Sequence, residues 1–219
     1  MLEDVAKPYS PAWWFKVLST ELQDRRQGRS GRNRWSRTAT KPSRVRPPLD
    51  VLHDHFRGDP PLRGVAEGWE EAFREVARLG RLNMGELVVT AKTDRMGIAG
   101  FRTAAADDEL GDKLASDLMI ETQLDIKFGD IHDGMLSLGD AYGMVTPLAK
   151  GQKFPTITSE DARECITAHN PATGETMAAL KLYRDDWDSA DFGQLYIRTA
   201  DGDVEHRTAI NRGKVTSIT

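Results

Sequence analysis

Apolar residues recur at the spacing of an α-helix near the start of the chain. They follow the pair Ser10-Pro11, which favours a helix start because Ser is a preferred N-cap and Pro suits the first helical position. Residues four apart lie on one face of a helix, so the pattern predicts a helix that ends near Arg26 and buries one apolar stripe. The stripe consists of Trp14, Leu18 and Leu22, with Val17 beside it.

Two shorter helical patterns follow a polar segment. The sequence LDVLHDHF, which begins at Leu49, predicts a short helical turn. Further along, Trp69, Phe73 and Val76 mark one face of a helix over residues 67–79. Ordered structure is therefore expected to resume at about residue 49.

Asn83 begins the next predicted helix. Its side chain can accept a hydrogen bond at the helix start, and Glu86, three residues later, completes a capping-box-like pair. The predicted buried stripe of this helix is Met84, Leu87, Val88 and Ala91. In the following segment, Arg95–Arg102, apolar residues lie between two glycines, and we interpret the segment as a strand.

The most regular helical pattern spans residues 124–138 and ends at Gly139. Its apolar positions are Leu124, Phe128, Ile131, Met135 and Leu138. A helix starting near Asp107 is predicted before it, with Leu110, Leu114 and Leu118 on one face. The sequence AYGMVTPLA after Gly139 predicts a strand.

After Lys150 the apolar period changes toward two, which is typical of strands. The loop NPATGE, with Gly174, and the pair Asp201-Gly202 predict hairpin turns. The predicted strands are 156–158, 164–169, 177–183, 194–199 and 204–209. N-terminal helices followed by a mainly antiparallel β meander predict an α+β fold. The segments are an N-terminal helix at 1–24, an Arg-rich mobile insertion at 25–48, a helical part at 49–150 and a β-rich part at 151–219.

Charge is distributed unevenly along the chain. The segment Arg25–Arg46 contains nine Lys or Arg and no Asp or Glu, which leaves 21 basic against 34 acidic residues elsewhere. The segment is poor in apolar residues and cannot offset its ordering entropy by burial, so we expect it to be mobile unless bound. It either contacts a polyanion or an acidic neighbouring subunit, or is a solvated insertion. The candidate contact residues are Arg25, Arg26, Arg29, Arg32, Arg34, Arg37, Arg44 and Arg46.

The sequence offers few candidates for chemistry. His53 and His55 would point to different sides of a helix, so an exposed polar turn is favoured over a metal site. The carboxylates around Trp187 lack the central Gly and distal Glu of a calcium loop, so a solvated hairpin end is favoured. These carboxylates are Asp185, Asp186, Asp188 and Asp191. Neither Gly-rich phosphate-binding motif occurs. We predict no catalytic site, no metal and no cofactor.

Three features of the sequence bear on where the protein is made. Cys165 is the single cysteine, so no internal disulfide is possible, and its place in a predicted strand favours a small core residue. The first residues are acidic and lack the apolar region of a signal peptide. No apolar run approaches the roughly 18–20 residues of a membrane span. We expect an intracellular site of synthesis and no membrane partner.

Several segments, taken in order, resemble one family. They are the turn at 58–62, EAFREVARLGRL at 71–82, NMGELVV at 83–89, DRMGIAGFR at 94–102, Leu124-Asp125, His132 and LGDAY at 138–142. Their order, after an early Trp-rich helix, resembles the N-terminal part of a portal protein of long-tailed bacteriophages. The similarity covers most of residues 10–200 and is carried by the combination of pieces.

The resemblance implies a structural virion protein and not an enzyme. Portal proteins form a homo-oligomeric ring at one capsid vertex, pass double-stranded DNA during packaging and ejection, dock the terminase, and join head to tail. The matched part corresponds to the peripheral wing region. Family members are longer and carry a stem, a clip and a crown after this region, so we expect only the N-terminal portion here. The implied location is the portal vertex, with assembly in the host cytoplasm.

Two other functions stay open at the level of sequence. A nucleic-acid-binding protein would use the Arg-rich segment 25–46 as its binding arm, and a regulator of this kind would show sequence preference. A metal hydrolase would need His53, His55 and the carboxylates at 185–191 to converge.

Overall fold

The computed structural model describes residues 3–27, 47–59, 69, 73, 75–76, 83–101, 112–148, 150–187, 190–211 and 216–218. Helices precede antiparallel strands along these residues, which confirms the predicted α+β class. The chain divides into two compact units. Unit 1 comprises residues 1–50 and 163–219, and unit 2 comprises residues 51–162.

The elements are labelled in chain order. After a 3-10 turn at Glu3–Ala6, the described helices are α1 (Pro11–Gln27), α2 (Leu49–Phe56), α3 (Met84–Thr93), α4 (Lys113–Glu121) and α5 (Leu124–Leu138). The strands are β1 (Tyr142–Val145), β2 (Ile157–Glu160), β3 (Cys165–His169), β4 (Thr176–Asp185), β5 (Ala190–Arg198), β6 (Val204–Asn211) and β7 (Thr216–Ile218).

Unit 1 is built on helix α1 and a five-stranded sheet. The Ser10 Oγ accepts a hydrogen bond from the Trp13 backbone N–H at 3.2 Å, so Ser10 caps α1 as predicted. The apolar stripe of α1 is fully buried and packs on β3, β4 and β5, which confirms the predicted buried face. The shared core consists of Trp14, Leu18, Leu22, Ile166, Ala178, Leu180, Leu195 and Ile197. Cys165 is buried, as expected of a small core residue.

The sheet of unit 1 is an antiparallel meander in the order β3-β4-β5-β6-β7. Gly174 and Gly202 adopt φ of +73° and +90° in the turns, which confirms the turn residues predicted from sequence. Each predicted strand after Lys150 is present within a few residues of its expected bounds. β7 was not predicted, because its three residues, TSI, carry too short a pattern to show a period.

Unit 2 contains helices α3, α4 and α5 and the two-stranded ladder of β1 and β2. α5 packs against α3, α4 and β2 and therefore forms its centre. Asn83 caps α3 by accepting from the Glu86 N–H at 3.2 Å, and its Nδ2 donates to the Phe56 carbonyl at 2.9 Å. The cap thus ties α3 to the end of α2. Gly139 ends α5 with φ of +83°, as predicted.

The structure corrects two predicted elements of unit 2. Residues 96–101 are irregular rather than a strand, and Gly100 has φ of +145°, which strand backbone does not adopt. α4 begins at Lys113 and not near Asp107, because the Asp112 side chain caps it by accepting from the backbone N–H groups of Leu114 and Ala115. Most of the predicted helix over 67–79, and Leu110, lie outside the described residues.

A third correction concerns the face that α3 buries. The predicted core stripe, Met84, Leu87, Val88 and Ala91, is exposed to solvent. The half-buried positions of the helix are Val89 and Thr93. Neither α3 nor α4, both entirely within the described ranges, buries a single residue. The amphipathic pattern was identified correctly, but its apolar side faces outward.

Candidate functional site

The Arg-rich segment is only partly described. Arg25 and Arg26 lie in the last turn of α1, and Arg26 Nε is 3.3 Å from Asp50 Oδ1. Positive charge at a helix C-terminus interacts favourably with the helix dipole. Both partners of this ion pair are substantially exposed, so its contribution is small. The other candidate contacts, Arg29, Arg32, Arg34, Arg37, Arg44 and Arg46, lie outside the described residues.

The candidate metal residues are not brought together. Asp54 pairs with its neighbour His53, the distance from His53 Nδ1 to Asp54 Oδ1 being 3.9 Å. His53 and His55 lie on helix α2 and therefore point to different sides of it. Within the described part of the chain, no group of three or more His, Cys, Asp or Glu side chains is placed to hold a metal ion.

Exposed apolar side chains are concentrated on three helices of unit 2. Leu87 on α3 is 60% exposed and Leu114 on α4 is 64% exposed. Both helices pack on α5, which itself exposes Ile126 and Met135. The other exposed apolar side chains on these helices are Met84, Val88 and Ile120. We call these seven residues the unit 2 apolar surface. Single exposed apolar side chains are ordinary, but an exposed apolar stripe along one face of α3 is typical of a surface that contacts another protein.

Unit 1 contains an open pocket of about 410 Å³. Tyr9 and Trp14 line one side, and Met177 and Ile197 contribute apolar side chains from β4 and β5. Tyr9 has φ of +67°, an uncommon conformation for a residue with a side chain, and its ring centroid lies 5.9 Å from that of Trp14. The aromatic wall is therefore held in place by ring contacts within the N-terminal segment.

The polar side of this pocket carries an ion pair. Arg198 Nη1 lies 3.4 Å from Glu175 Oε1, with Asn170 and Thr199 also in the lining. An aromatic wall beside a guanidinium suits a flat or apolar group attached to an anion. The Thr176 hydroxyl in the lining lies 3.3 Å from His169 Nδ1, and the apolar wall and the guanidinium give the pocket the character of a binding site.

Asp185, Asp186 and Asp191 of the acidic cluster lie at the end of the β4–β5 hairpin, as the sequence predicted, and Asp188 lies outside the described residues. Asp185 opposes Ala190 in the last pair of the ladder, and Asp185 Oδ1 accepts from the Trp187 N–H at 2.9 Å. Arg184 and Asp191 are 3.8 Å apart across the hairpin. Trp187 itself is 99% exposed. The tip therefore presents an indole next to carboxylates.

No protein-family model and no curated protein sequence matches the chain. None of the described helices is long and apolar enough to cross a membrane. Any functional conclusion therefore depends on the surfaces themselves and on the resemblance noted above.

Sequence reasoning did not find the pocket of unit 1. Its lining comes from three parts of the chain. These are the N-terminal residues Tyr9 and Trp14, the segment 170–177 and the segment 197–202. No motif connects segments this far apart, because the sheet alone brings them together. A usable signal existed in the aromatic cluster of Tyr9, Trp13 and Trp14, which is dense for a helix start.

Proposed function

We propose that this chain is the N-terminal, wing-region portion of a tailed-bacteriophage portal protein. In this role it acts by assembly and not by catalysis. It is one subunit of a homo-oligomeric ring at the portal vertex of the virion, where it contacts capsid and terminase proteins. Assembly takes place in the host cytoplasm. The order of the sequence segments from 71–82 to LGDAY at 138–142, and the succession of helices and then a meander among the described residues, support the assignment.

The unit 2 apolar surface is the observation that carries this proposal. α3 turns its apolar face away from its own unit, although removing one such side chain from water is favourable by about 1.5–3 kcal/mol. The exposed apolar face of α3 contributes no burial energy inside the subunit. A neighbouring subunit that covers this face would supply that energy. Repeated identical neighbours in a ring supply such a covering surface on every subunit.

The proposal is tested by changing the apolar surface without changing the fold. Leu87→Glu places a charge on α3 at an exposed position, so folding should be retained while association is lost. Thr90→Glu adds the same charge on an exposed residue of the same helix and is the matched control. Association is measured by sedimentation velocity, and ring formation by negative-stain electron microscopy of the natural gene product expressed with its neighbouring genes.

We expect rings from the unaltered protein and from Thr90→Glu, and monomers from Leu87→Glu with an unchanged circular dichroism spectrum. A protein that stays monomeric, or that forms no ring and enters no capsid when its neighbours are present, would overturn the assignment. Association that Leu87→Glu leaves intact would show that this surface is not the contact.

A second function is favoured by the composition of the segment Arg25–Arg46. Nine basic residues without an acidic one suit non-specific contact with double-stranded DNA, which can coexist with a portal role. The alternative of a dedicated nucleic-acid-binding protein rests on the same segment. Deleting residues 28–46, which leaves α1 intact, should abolish DNA retention in a filter-binding assay and remove its salt dependence. Equal DNA affinity after this deletion would refute the contact.

A further inference from the structure

The Trp187 side chain is exposed to solvent at the end of the β4–β5 hairpin. The side chain is 99% exposed, whereas its backbone N–H is held by the Asp185 carboxylate at the end of a long, paired hairpin. Trp is the residue most often found as an energetic anchor at the centre of protein interfaces. An indole exposed at a hairpin tip therefore has the properties of a ligand for a pocket on another molecule.

The pocket between Tyr9 and Arg198 has the size and chemistry for such an anchor. Its volume of about 410 Å³ is at the small end of ligand sites, which favours one large side chain over an extended ligand. The exposed ring of Tyr9 offers an edge or face for aromatic contact. Trp14, Met177 and Ile197 complete an apolar wall.

Opposite charges beside Trp187 and beside the pocket also favour the contact. Asp186 is exposed next to Trp187, and Arg198 is exposed on the polar side of the pocket. Glu175 uses one nitrogen of the Arg198 guanidinium, whose planar group has further N–H donors for a second carboxylate. An indole inserted against Tyr9 would bring its neighbouring carboxylate toward the guanidinium.

The tip and the pocket lie at opposite ends of one strand. Thr176 and Met177, at the start of β4, line the pocket, and Asp185 ends the same strand. Nine residue steps at about 3.3 Å each separate the two sites by roughly 30 Å. A paired strand cannot fold back on itself, so a tip cannot reach the pocket of its own chain.

We propose that the Trp187 tip of one copy inserts into the Tyr9–Arg198 pocket of a second copy. The contact is head-to-tail, because each copy offers its tip at one end of the sheet and its pocket at the other. Head-to-tail contacts close into rings when the rotation permits and otherwise extend. This inference rests on the proposed assembly role for the supply of neighbouring copies, but it names a different contact from the unit 2 apolar surface.

Directed cross-linking tests the contact. Cys165 is the single native cysteine and is buried, so introduced cysteines can be labelled selectively. Arg184→Cys beside the tip is mixed with Asp201→Cys beside the pocket, and a short bis-maleimide is added to the full chain. We expect the mixed dimer to exceed by at least tenfold the product from Arg184→Cys mixed with Gln23→Cys, an exposed position on α1.

Trp187→Ala in the Arg184→Cys chain should reduce the mixed dimer at least tenfold, and Arg198→Gln should reduce it and weaken its dependence on salt. Trp187 is fully exposed, so its removal leaves the fold intact. A yield equal to the Gln23→Cys control, or one that Trp187→Ala does not change, overturns the inference. Rings that form normally with Trp187→Ala would refute this contact alone. Tip-to-pocket cross-links without rings or capsid entry would refute the portal assignment alone.

Discussion

Gly193 of β5 lies against the Phe15 side chain of helix α1. A Cβ placed on this residue of β5 would lie 2.6 Å from Cε2 of Phe15 and 3.2 Å from Cδ2 of Leu182. Ordinary van der Waals contact begins near 3.4 Å, so the Phe15 ring must withdraw by roughly 0.8 Å to admit one methyl group. Gly193→Ala therefore tests whether the packing of α1 on the sheet depends on the absence of a side chain here.

Two opposing effects decide how much Gly193→Ala changes the free energy of unfolding. Overpacking of a well-packed core costs about 1–3 kcal/mol. Replacing Gly by Ala inside a strand recovers about 0.5–1 kcal/mol of backbone entropy. Since Phe15 is only partly buried, some of the clash is relieved by movement of its ring. We expect Gly193→Ala to lower the free energy of unfolding by about 1–2 kcal/mol.

Equilibrium urea unfolding, followed by far-ultraviolet circular dichroism and by tryptophan fluorescence, measures this loss. The decisive comparison repeats Gly193→Ala in a Phe15→Ala background, where the obstructing ring is absent and the substitution should be neutral or stabilising. Gly129→Ala is a second control, because a Cβ on this helical residue meets nothing within 4 Å. Equal destabilisation by Gly193→Ala in both backgrounds would refute the steric explanation.

The remaining predictions concern caps and cores. Ser10→Ala removes the acceptor for the Trp13 N–H and should lower the free energy of unfolding by about 1 kcal/mol. Ser10→Asp keeps an acceptor and should retain most of the stability, as measured by thermal unfolding. Asn83→Ala loses both its cap and its bond to the Phe56 carbonyl, so hydrogen exchange at the start of α3 should rise, and Asn83→Asp should restore only the cap. Leu18→Ala, in the buried core of unit 1, should lower the free energy of unfolding in urea by about 2–5 kcal/mol. Leu87→Ala, at an exposed position, should lower it by under about 0.5 kcal/mol. Comparable losses at the two sites would contradict the outward orientation of α3.

The helices and hairpins of this chain were predictable where the signal is local. The Ser10 cap, the Asn83 cap and the end of α5 at Gly139 each depend on residues within one helical turn. The strands of the meander follow from a period of two and from glycines that provide positive φ in the turns. The strand expected over Arg95–Arg102 was wrong because apolar residues near glycines specify no pairing partner.

The surfaces were predictable only in part. The acidic hairpin end around Trp187 was expected, since a dense charge run suits a solvated turn. The pocket was not, because Tyr9, Met177 and Arg198 are far apart in sequence. The portal assignment and the role of the Arg-rich segment stay predictions, to be tested by the ring and DNA experiments above.

The sequence by itself determined most of the described helices, the ends of helices at Ser10, Asn83 and Gly139, and the succession of strands β2 to β6 in an α+β chain. These properties arise from interactions between residues a few positions apart. Only the tertiary structure decided which side of each amphipathic element is buried. α1 turns its apolar stripe onto β3, β4 and β5, whereas α3 turns its stripe toward solvent. Periodicity marks an apolar face, but burial depends on the neighbour that the rest of the fold places against it.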